Sequence, residues 1–180
     1  VMNEQDLEAG VAIGEIGGGT TDLAIFHEGV LKYTAVIPFG GENITKDIKQ
    51  GLGVLQTQAE AMKVQYGSAL SDETKANMFI TIPGLRGLPP REVSVKTLAS
   101  IIQARMSEIL DFVTFHLKQV GLDSRSLNGG IILTGGGSQL KHLLQLTEYL
   151  TGLNARVGIP NEHMSGEMSE KLALPMYSTC

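Results

Sequence analysis

The sequence has no tryptophan, only one cysteine and few aromatic residues, which make up 5% of the chain. The single cysteine, Cys180, is the last residue, so an internal disulfide framework and a site built from several thiolates are excluded. This favours a reducing, cytosolic compartment. Excess positive charge is also lacking: the formal net charge is −5, so we expect no binding of nucleic acid.

Long hydrophobic runs are missing as well. The most apolar stretches, such as GGIILTGGG, are far shorter than the roughly 20 residues that a membrane-spanning helix needs. No basic segment leads into an apolar one near the N-terminus, so no targeting signal is predicted. The chain begins directly at Val1 and stops at PMYSTC without a polar tail, and we expect it to be cut from a longer protein.

Glycine is abundant, with 22 residues that occur in clusters. Two clusters form turns beside apolar segments, EIGGGTTD at 15–22 and LTGGGSQL at 133–140. The runs VAIGEI, TDLAIF and VLKYTAVIPFG are short and rich in β-forming residues, so they predict three strands in a meander. The second turn follows an apolar run and precedes a helical pattern, which predicts a strand, a turn and a helix.

The middle of the chain predicts further helices and one strand. Apolar residues at helical spacing predict one helix in 42–52 and a second that begins near Thr57. The longest predicted helix runs from about Val93 to Val120, and Gly121 is expected to end it. MFITIPG predicts a strand, and GLRGLPPRE predicts a loop because of its prolines and glycines.

This order of elements predicts an α/β fold in two parts. Residues 1–54 and 121–180 are expected to form one core lobe, because both stretches alternate strands and helices around a glycine turn. Residues 55–120 are expected to form a smaller, inserted α+β subdomain.

The first glycine turn combines groups that suit a phosphate tail and its metal ion. Glycines let backbone N–H groups approach phosphate oxygens, threonine hydroxyls add donors, and two carboxylates can hold hydrated Mg²⁺. The candidate residues are Glu15, Gly17, Gly18, Gly19, Thr20, Thr21 and Asp22, with Glu15 and Asp22 as the metal ligands through water. A plain hairpin turn is the alternative, and the two carboxylates and two threonines favour the phosphate site over it.

The second turn and one predicted helix supply the remaining candidates. Free N–H groups are expected where the strand passes into the helix, at Gly135, Gly136, Gly137 and Ser138. In an open α/β sheet, ligands collect beyond the strand ends, which would bring this turn to the same ligand as the first one. Glu60 and Lys63 lie three apart on a helix and offer groups for a ribose and a purine, although a solvated ion pair is the simpler interpretation.

These motifs resemble the FtsA family of bacterial cell-division proteins, part of the superfamily of actin, Hsp70 and sugar kinases. The matching stretches are GEIGGGTTDLAIF, PFGGENITKDI, AEAMKVQYG, IPGLRGLPPREV, LASIIQARMSEIL, GGIILTGGGSQL and PMYSTC. They are spread over nearly all 180 residues and correspond to the second half of the family's chain. The resemblance implies an actin-like ATPase lobe of the ribonuclease H-like type, with a mixed sheet and an inserted subdomain.

The resemblance also implies ATP and Mg²⁺ as ligands. The first turn would wrap the β- and γ-phosphates, the second would border the adenosine, and Glu60 with Lys63 would reach the ribose and base. Glu15 departs from the family, which usually has aspartate at that position. No catalytic residue is assigned: we expect at most a slow ATPase in the full-length protein and none in this chain alone.

The resemblance further implies that the inserted subdomain binds the C-terminal peptide of FtsZ. Helical spacing independently places a mixed apolar and charged patch on the long helix, formed by Ile101, Arg105, Glu108 and Phe112. The alternative left open is that the two apolar residues pack under the loop that ends in PPRE, while the charges are solvated.

The resemblance also implies that the protein self-associates into filaments. It further implies a location at the division site, at the cytoplasmic face of the membrane. Membrane contact would be made only through a C-terminal amphipathic helix that this chain lacks. Two other functions stay open at this stage: an actin-superfamily kinase acting on a sugar or acetate, and a pilus-assembly relative.

Overall fold

A computed structural model describes residues 1–75, 77–84, 89–122, 126–160 and 174–177 of the chain. In these ranges the helices are α1 (Glu4–Ala9), α2 (Gly41–Leu52), α3 (Gln56–Tyr66), α4 (Val95–Gln119) and α5 (Leu143–Thr151). The strands are β1 (Val11–Ile16), β2 (Thr21–His27), β3 (Val30–Ile37), β4 (Phe79–Ile82), β5 (Arg91–Ser94), β6 (Ile131–Thr134) and β7 (Ala155–Val157). Short 3-10 helices lie at Gly136–Gln139 and Pro175–Tyr177.

The main sheet is mixed, as predicted. Its strand order is β3-β2-β1-β6-β7, with β1, β2 and β3 antiparallel in a meander. β6 runs parallel to β1, and β7 runs parallel to β6. Because β1 and β6 are parallel neighbours, both of their carboxyl ends reach the same edge of the sheet, and each strand is followed there by a glycine turn.

The core lies on the face of the sheet that α2, α4 and α5 cover. Strand residues such as Ile16 and Leu23 share one hydrophobic cluster with Ile48 of α2 and Ile102 of α4, and all are nearly inaccessible to solvent. Burying each such side chain contributes about 1.5–3 kcal/mol, so this face dominates the stability of the fold. A smaller cluster around Val11, Ile13 and Ile132 covers the opposite face.

Helix α4 confirms the predicted amphipathic helix, with ends that differ slightly from the prediction. The apolar stripe of the sequence is buried from Val95 to Leu117. Ser94 caps the helix by accepting a hydrogen bond from the Lys96 N–H, and Gly121 follows the last turn with a φ of 71°. The predicted start at Val93 was too early because that residue pairs with β4.

Two local predictions fail. The predicted loop GLRGLPPRE ends in strand structure, because Arg91 and Glu92 pair with Ile82 and Thr81 of β4, while 85–88 lie outside the described residues. Hairpin pairing of this kind depends on a partner that local sequence does not show. Helix α1 was not predicted, although its capping box, in which Asn3 and Asp6 bond each other's backbone N–H, was readable from the sequence.

The division of the chain into a core lobe, 1–54 with 121–180, and an inserted subdomain, 55–120, stays a prediction. The β4-β5 hairpin forms a sheet of its own, apart from the main one. Helix α4, placed by the prediction in the insertion, contacts α2, α5, β2 and β3 as well as α3 and β5.

Across the described ranges, no helix is both long and apolar enough to cross a membrane.

Candidate functional site

The two glycine turns lie side by side at the carboxyl ends of β1 and β6. A Cβ on Gly135 would lie 2.6 Å from the carbonyl oxygen of Ile16, and one on Gly137 would lie 2.3 Å from the Ile16 Cγ2. Real Cβ atoms do not approach so closely, so glycine at these positions lets the second turn pack against the end of β1. The structure therefore brings the two predicted turns together, and their role as one binding site stays a prediction.

A cavity of about 880 Å³ opens beside these turns, within the size range of pockets for small molecules and cofactors. Its walls come from the two turns, the first residues of α2, one side of α3 and the segment before α5. The lining residues are Gly17, Gly18, Gly41, Glu42, Ile44, Gln56, Glu60, Lys63, Val64, Gly67, Gly136, Gly137, Gln139, Leu140, Lys141 and Met176.

The first turn is held by α2, a contact that the sequence did not predict. The Gly17 N–H donates to the Thr20 carbonyl at 2.9 Å and closes the turn. The Gly41 N–H donates to the Gly17 carbonyl at 2.9 Å, so the start of α2 bonds directly to the turn. A Cβ on Gly40 would lie 2.6 Å from that same Gly17 oxygen. The pair Gly40-Gly41 was visible as a glycine cluster, but nothing local indicated this partner.

The two threonines of the first turn have different surroundings. Thr21 is buried, and its hydroxyl donates to the Phe39 carbonyl at 2.9 Å, which holds the turn against the end of β3. Thr20 is exposed, and its hydroxyl donates to Asp22 Oδ2 at 3.2 Å. Thr20 is therefore the threonine whose side chain can meet a ligand from solvent.

Glu15 and Asp22 lie directly opposite each other in the β1-β2 register. Carboxylates in this arrangement repel each other, and a cation between them relieves the repulsion. Carboxylate oxygens are the protein ligands that Mg²⁺ accepts, often through water, so the donor set fits that metal. Neither residue lines the cavity, and both lie on the face of the sheet opposite to α2.

The second turn corrects one prediction. It passes into the 3-10 helix Gly136–Gln139, and α5 begins only at Leu143, so the glycines do not form the N-terminus of an α-helix. The Ser138 side chain is buried, and its hydroxyl donates to the Gly135 carbonyl at 2.8 Å. Ser138 thus stabilises the turn from inside and does not line the cavity.

Glu60 and Lys63 form part of the cavity wall, where Lys63 is mostly buried and Glu60 is half-exposed. Lys63 Nζ lies 2.8 Å from Glu60 Oε2 and donates to Thr45 Oγ1 at 2.9 Å and to the Gly41 carbonyl at 3.0 Å. Burial raises the pKa of Glu60, but the hydrogen bonds from Lys63 and Thr45 and the charge of Lys63 outweigh it, so the pKa is lowered. The pair therefore ties α3 to the start of α2 in its charged form.

The residues of the predicted peptide face make contacts within the chain, and their role in peptide binding stays a prediction. Arg105 donates from Nε to Asp47 Oδ2 at 2.6 Å and from Nη2 to Asp47 Oδ1 at 3.0 Å, and it also contacts Glu108. The bond to Asp47 is the main reason why the pKa of Arg105 is raised. The alternative in which these charges are simply solvated does not describe Arg105.

The apolar members of this face pack locally. Phe112 lies against Phe39, with ring centroids 5.7 Å apart, and the Arg105 guanidinium lies 5.4 Å from the centroid of the same Phe39 ring. Ile101 packs on α2, where a Cβ on Gly51 would lie 2.9 Å from its Cδ1. Phe112 keeps 38% of its surface exposed, so it is the apolar residue of this face most available to a partner.

Solved structures of similar fold define the class of protein. MreB5 of Spiroplasma citri bound to AMPPNP has a TM-score of 0.73 at 24% identity and aligns over 86% of this chain and 50% of that one. A PilM-PilN type IV pilus biogenesis complex has a TM-score of 0.63 at 16% identity, over 87% of this chain and 37% of that one. The fold is that of an actin-like protein.

Sequence comparison then gives the family. The family model described as "Cell division protein FtsA" matches residues 12–180. The cell division protein FtsA of Neisseria meningitidis serogroup B is 38% identical over 179 residues, covering 99% of this chain and 43% of the relative. The chain belongs to the FtsA family, and it spans less than half the length of the relative it matches.

Proposed function

We propose that this chain forms one wall of an ATP-binding cleft in an actin-like cell-division protein, in which the nucleotide controls conformation and assembly. The observation that carries the proposal is the cavity of about 880 Å³ where both glycine turns, the start of α2 and the Glu60–Lys63 pair meet. The AMPPNP bound to MreB5, a protein of similar fold, supports a nucleotide as the ligand.

The contacts suggest how the residues divide their work. The amides of Gly18 and Gly19 and the hydroxyl of Thr20 would face the phosphates. The Gly17 N–H closes the turn on the Thr20 carbonyl, and Thr21 holds the turn in place. Gly135, Gly136 and Gly137 border the adenosine, and Glu60 with Lys63 reaches its ribose and base. Glu15 and Asp22 lie outside the cavity wall, on the face of the sheet opposite to α2, so they would hold hydrated Mg²⁺ beside the first turn and not within the cavity. When bound, the metal would supply charge neutralisation of the phosphates. The Ser138 hydroxyl stabilises the turn through its bond to the Gly135 carbonyl and does not contact the nucleotide in this arrangement.

The proposed partner is the C-terminal peptide of FtsZ, bound on the face formed by Ile101, Arg105, Glu108 and Phe112. Half-exposed Glu108 and Phe112 offer a charged and an apolar contact next to each other. Arg105 would act from its place beside Asp47, which fixes its guanidinium in one orientation. Through this peptide the full-length protein would link FtsZ filaments to the division site. We also propose that the full-length protein forms filaments itself, at the cytoplasmic face of the membrane.

Titration of Mg·ATP into the full-length protein that contains this chain, followed by calorimetry, tests the nucleotide proposal. We expect binding, with slow turnover. Absence of binding contradicts the proposal. Rapid phosphoryl transfer from ATP to a sugar or to acetate would instead favour the kinase alternative. Membership of the FtsA family favours a role in cell division over both a kinase and a pilus-assembly role.

A further inference from the structure

His142 occupies an unusual backbone position next to the cavity. Among the described residues other than glycine, only His142 and Glu28 have positive φ, at 60° and 54°. This left-handed conformation is unfavourable for most side chains, so the surrounding contacts must hold His142 in it. His142 directly precedes α5 and follows Leu140 and Lys141, both of which line the cavity.

The His142 side chain reaches across to the segment that leaves α3. Its Nδ1 lies 2.9 Å from the hydroxyl oxygen of Ser68, which is buried. The single hydroxyl hydrogen of Ser68 is donated to the Leu70 carbonyl at 2.9 Å. With that hydrogen used, Ser68 Oγ is left to accept from His142 Nδ1.

This bond belongs to a joint between two walls of the cavity. The Ala69 N–H donates to the Lys141 carbonyl at 2.8 Å, beside the His142–Ser68 contact. A Cβ on Gly67 would lie 3.0 Å from Leu140 Cδ1, so the end of α3 packs closely on the segment after the second glycine turn. The wall from α3 and the wall from the second turn are thus joined at 67–69 and 140–142.

We propose that His142 is a positioning residue of the cleft: through Ser68 it fixes the separation of these two walls and so shapes the subsite for the nucleotide base. The inference rests on the proposed nucleotide function. Leu140, at this joint, lines the cavity together with the apolar residues Val64 and Met176. A planar base that binds between apolar side chains depends on their spacing.

The chain offers a matched pair of variants. His142→Gly removes the bond to Ser68 while keeping a backbone that glycine adopts easily, and Glu28→Gly makes the same kind of change in the exposed β2-β3 turn. In the full-length protein, we expect His142→Gly to weaken Mg·ATP binding about 3- to 10-fold, because the two walls must then be ordered when the nucleotide binds. Glu28→Gly should leave the affinity within about twofold of wild type.

Two further measurements separate positioning from general stability. Ser68→Ala should weaken ATP binding to a similar extent, and the double variant should lose no more than either single one, because both remove the same bond. The melting temperature of His142→Gly should fall no further than that of Ser68→Ala, because both variants lose the same bond and glycine adopts the left-handed conformation without strain. Equal ATP affinity in wild type and His142→Gly, or a larger fall in melting temperature in His142→Gly than in Ser68→Ala, overturns the inference while leaving the nucleotide proposal intact. A wild-type protein that binds no ATP overturns both.

Discussion

Gly40 sets how closely α2 approaches the first glycine turn. A Cβ at this position would lie 2.6 Å from the Gly17 oxygen and 2.7 Å from the Gly18 oxygen, and both are backbone atoms that cannot rotate away. Gly40→Ala is therefore expected to destabilise the chain by about 1–3 kcal/mol, the usual range for overpacking. Urea unfolding of the 180-residue chain measures this change.

Gly19 provides the control for that substitution. No described atom lies within 4 Å of the position that a Cβ on Gly19 would take. Gly19→Ala should therefore change the free energy of unfolding by no more than about 0.5 kcal/mol. Equal effects of the two substitutions would show that α2 does not pack against the turn as described.

Glu60 makes stability depend on pH at the acid end. Because its pKa is lowered in the folded chain, its stabilising contribution is present above its ordinary value of 4.5 and is lost as pH falls through the folded pKa. Wild type should therefore lose its advantage over Glu60→Gln as the pH falls below 4.5. Unfolding curves of both proteins over this range measure the difference, with exposed Glu92→Gln as the control. A constant difference at all pH values contradicts the assignment.

At the scale of elements, α2 connects the cavity with the predicted peptide face. Its first residue bonds to the Gly17 carbonyl, and Asp47, in its second turn, holds Arg105 of α4. Arg105→Glu would thus place a third carboxylate beside Asp47 and Glu108 and disturb the packing of α2 on α4. A test of the peptide face is cleaner with a residue that makes no ion pair with α2.

Phe112 and Phe115 supply such a test on one face of α4. Phe112 belongs to the predicted peptide face, whereas Phe115 is 53% exposed and lies nearly one turn further along the helix. We expect Phe112→Ala to weaken binding of an FtsZ C-terminal peptide to the full-length protein about tenfold, as truncation of an aromatic anchor does. Phe115→Ala should stay within about twofold of wild type. Fluorescence anisotropy of a labelled peptide measures both, and equal affinities of the two variants would remove Phe112 from the face.

At the scale of the whole molecule, the chain spans 43% of the length of its Neisseria relative. Under the proposed function this chain supplies only one wall of the nucleotide cleft, and the remainder of the longer protein supplies the other. We therefore expect the 180-residue chain alone to bind Mg·ATP at least about tenfold more weakly than the full-length protein, since contacts of the other lobe are missing. Calorimetry on both proteins measures this, and low-micromolar binding by the chain alone would contradict it.

The sequence alone determined the features that depend on neighbouring residues. The three-strand meander followed from short β-rich runs separated by turn residues, and α4 followed from the spacing of its apolar residues, from Val95 to Leu117. The two glycine turns were recognisable because three glycines after a strand permit backbone geometry that other residues do not. These patterns also sufficed to indicate the family.

Only the tertiary structure decided what each polar group bonds to. Thr21 and Ser138 looked like ligands of a nucleotide, but their hydroxyls donate to the carbonyls of Phe39 and Gly135. Arg105 forms a hydrogen bond with Asp47 on another helix, and His142 forms one with Ser68, just after the end of α3. A hydroxyl or guanidinium has few hydrogen-bonding positions, and the residue type does not reveal whether a distant segment of the same chain already fills them.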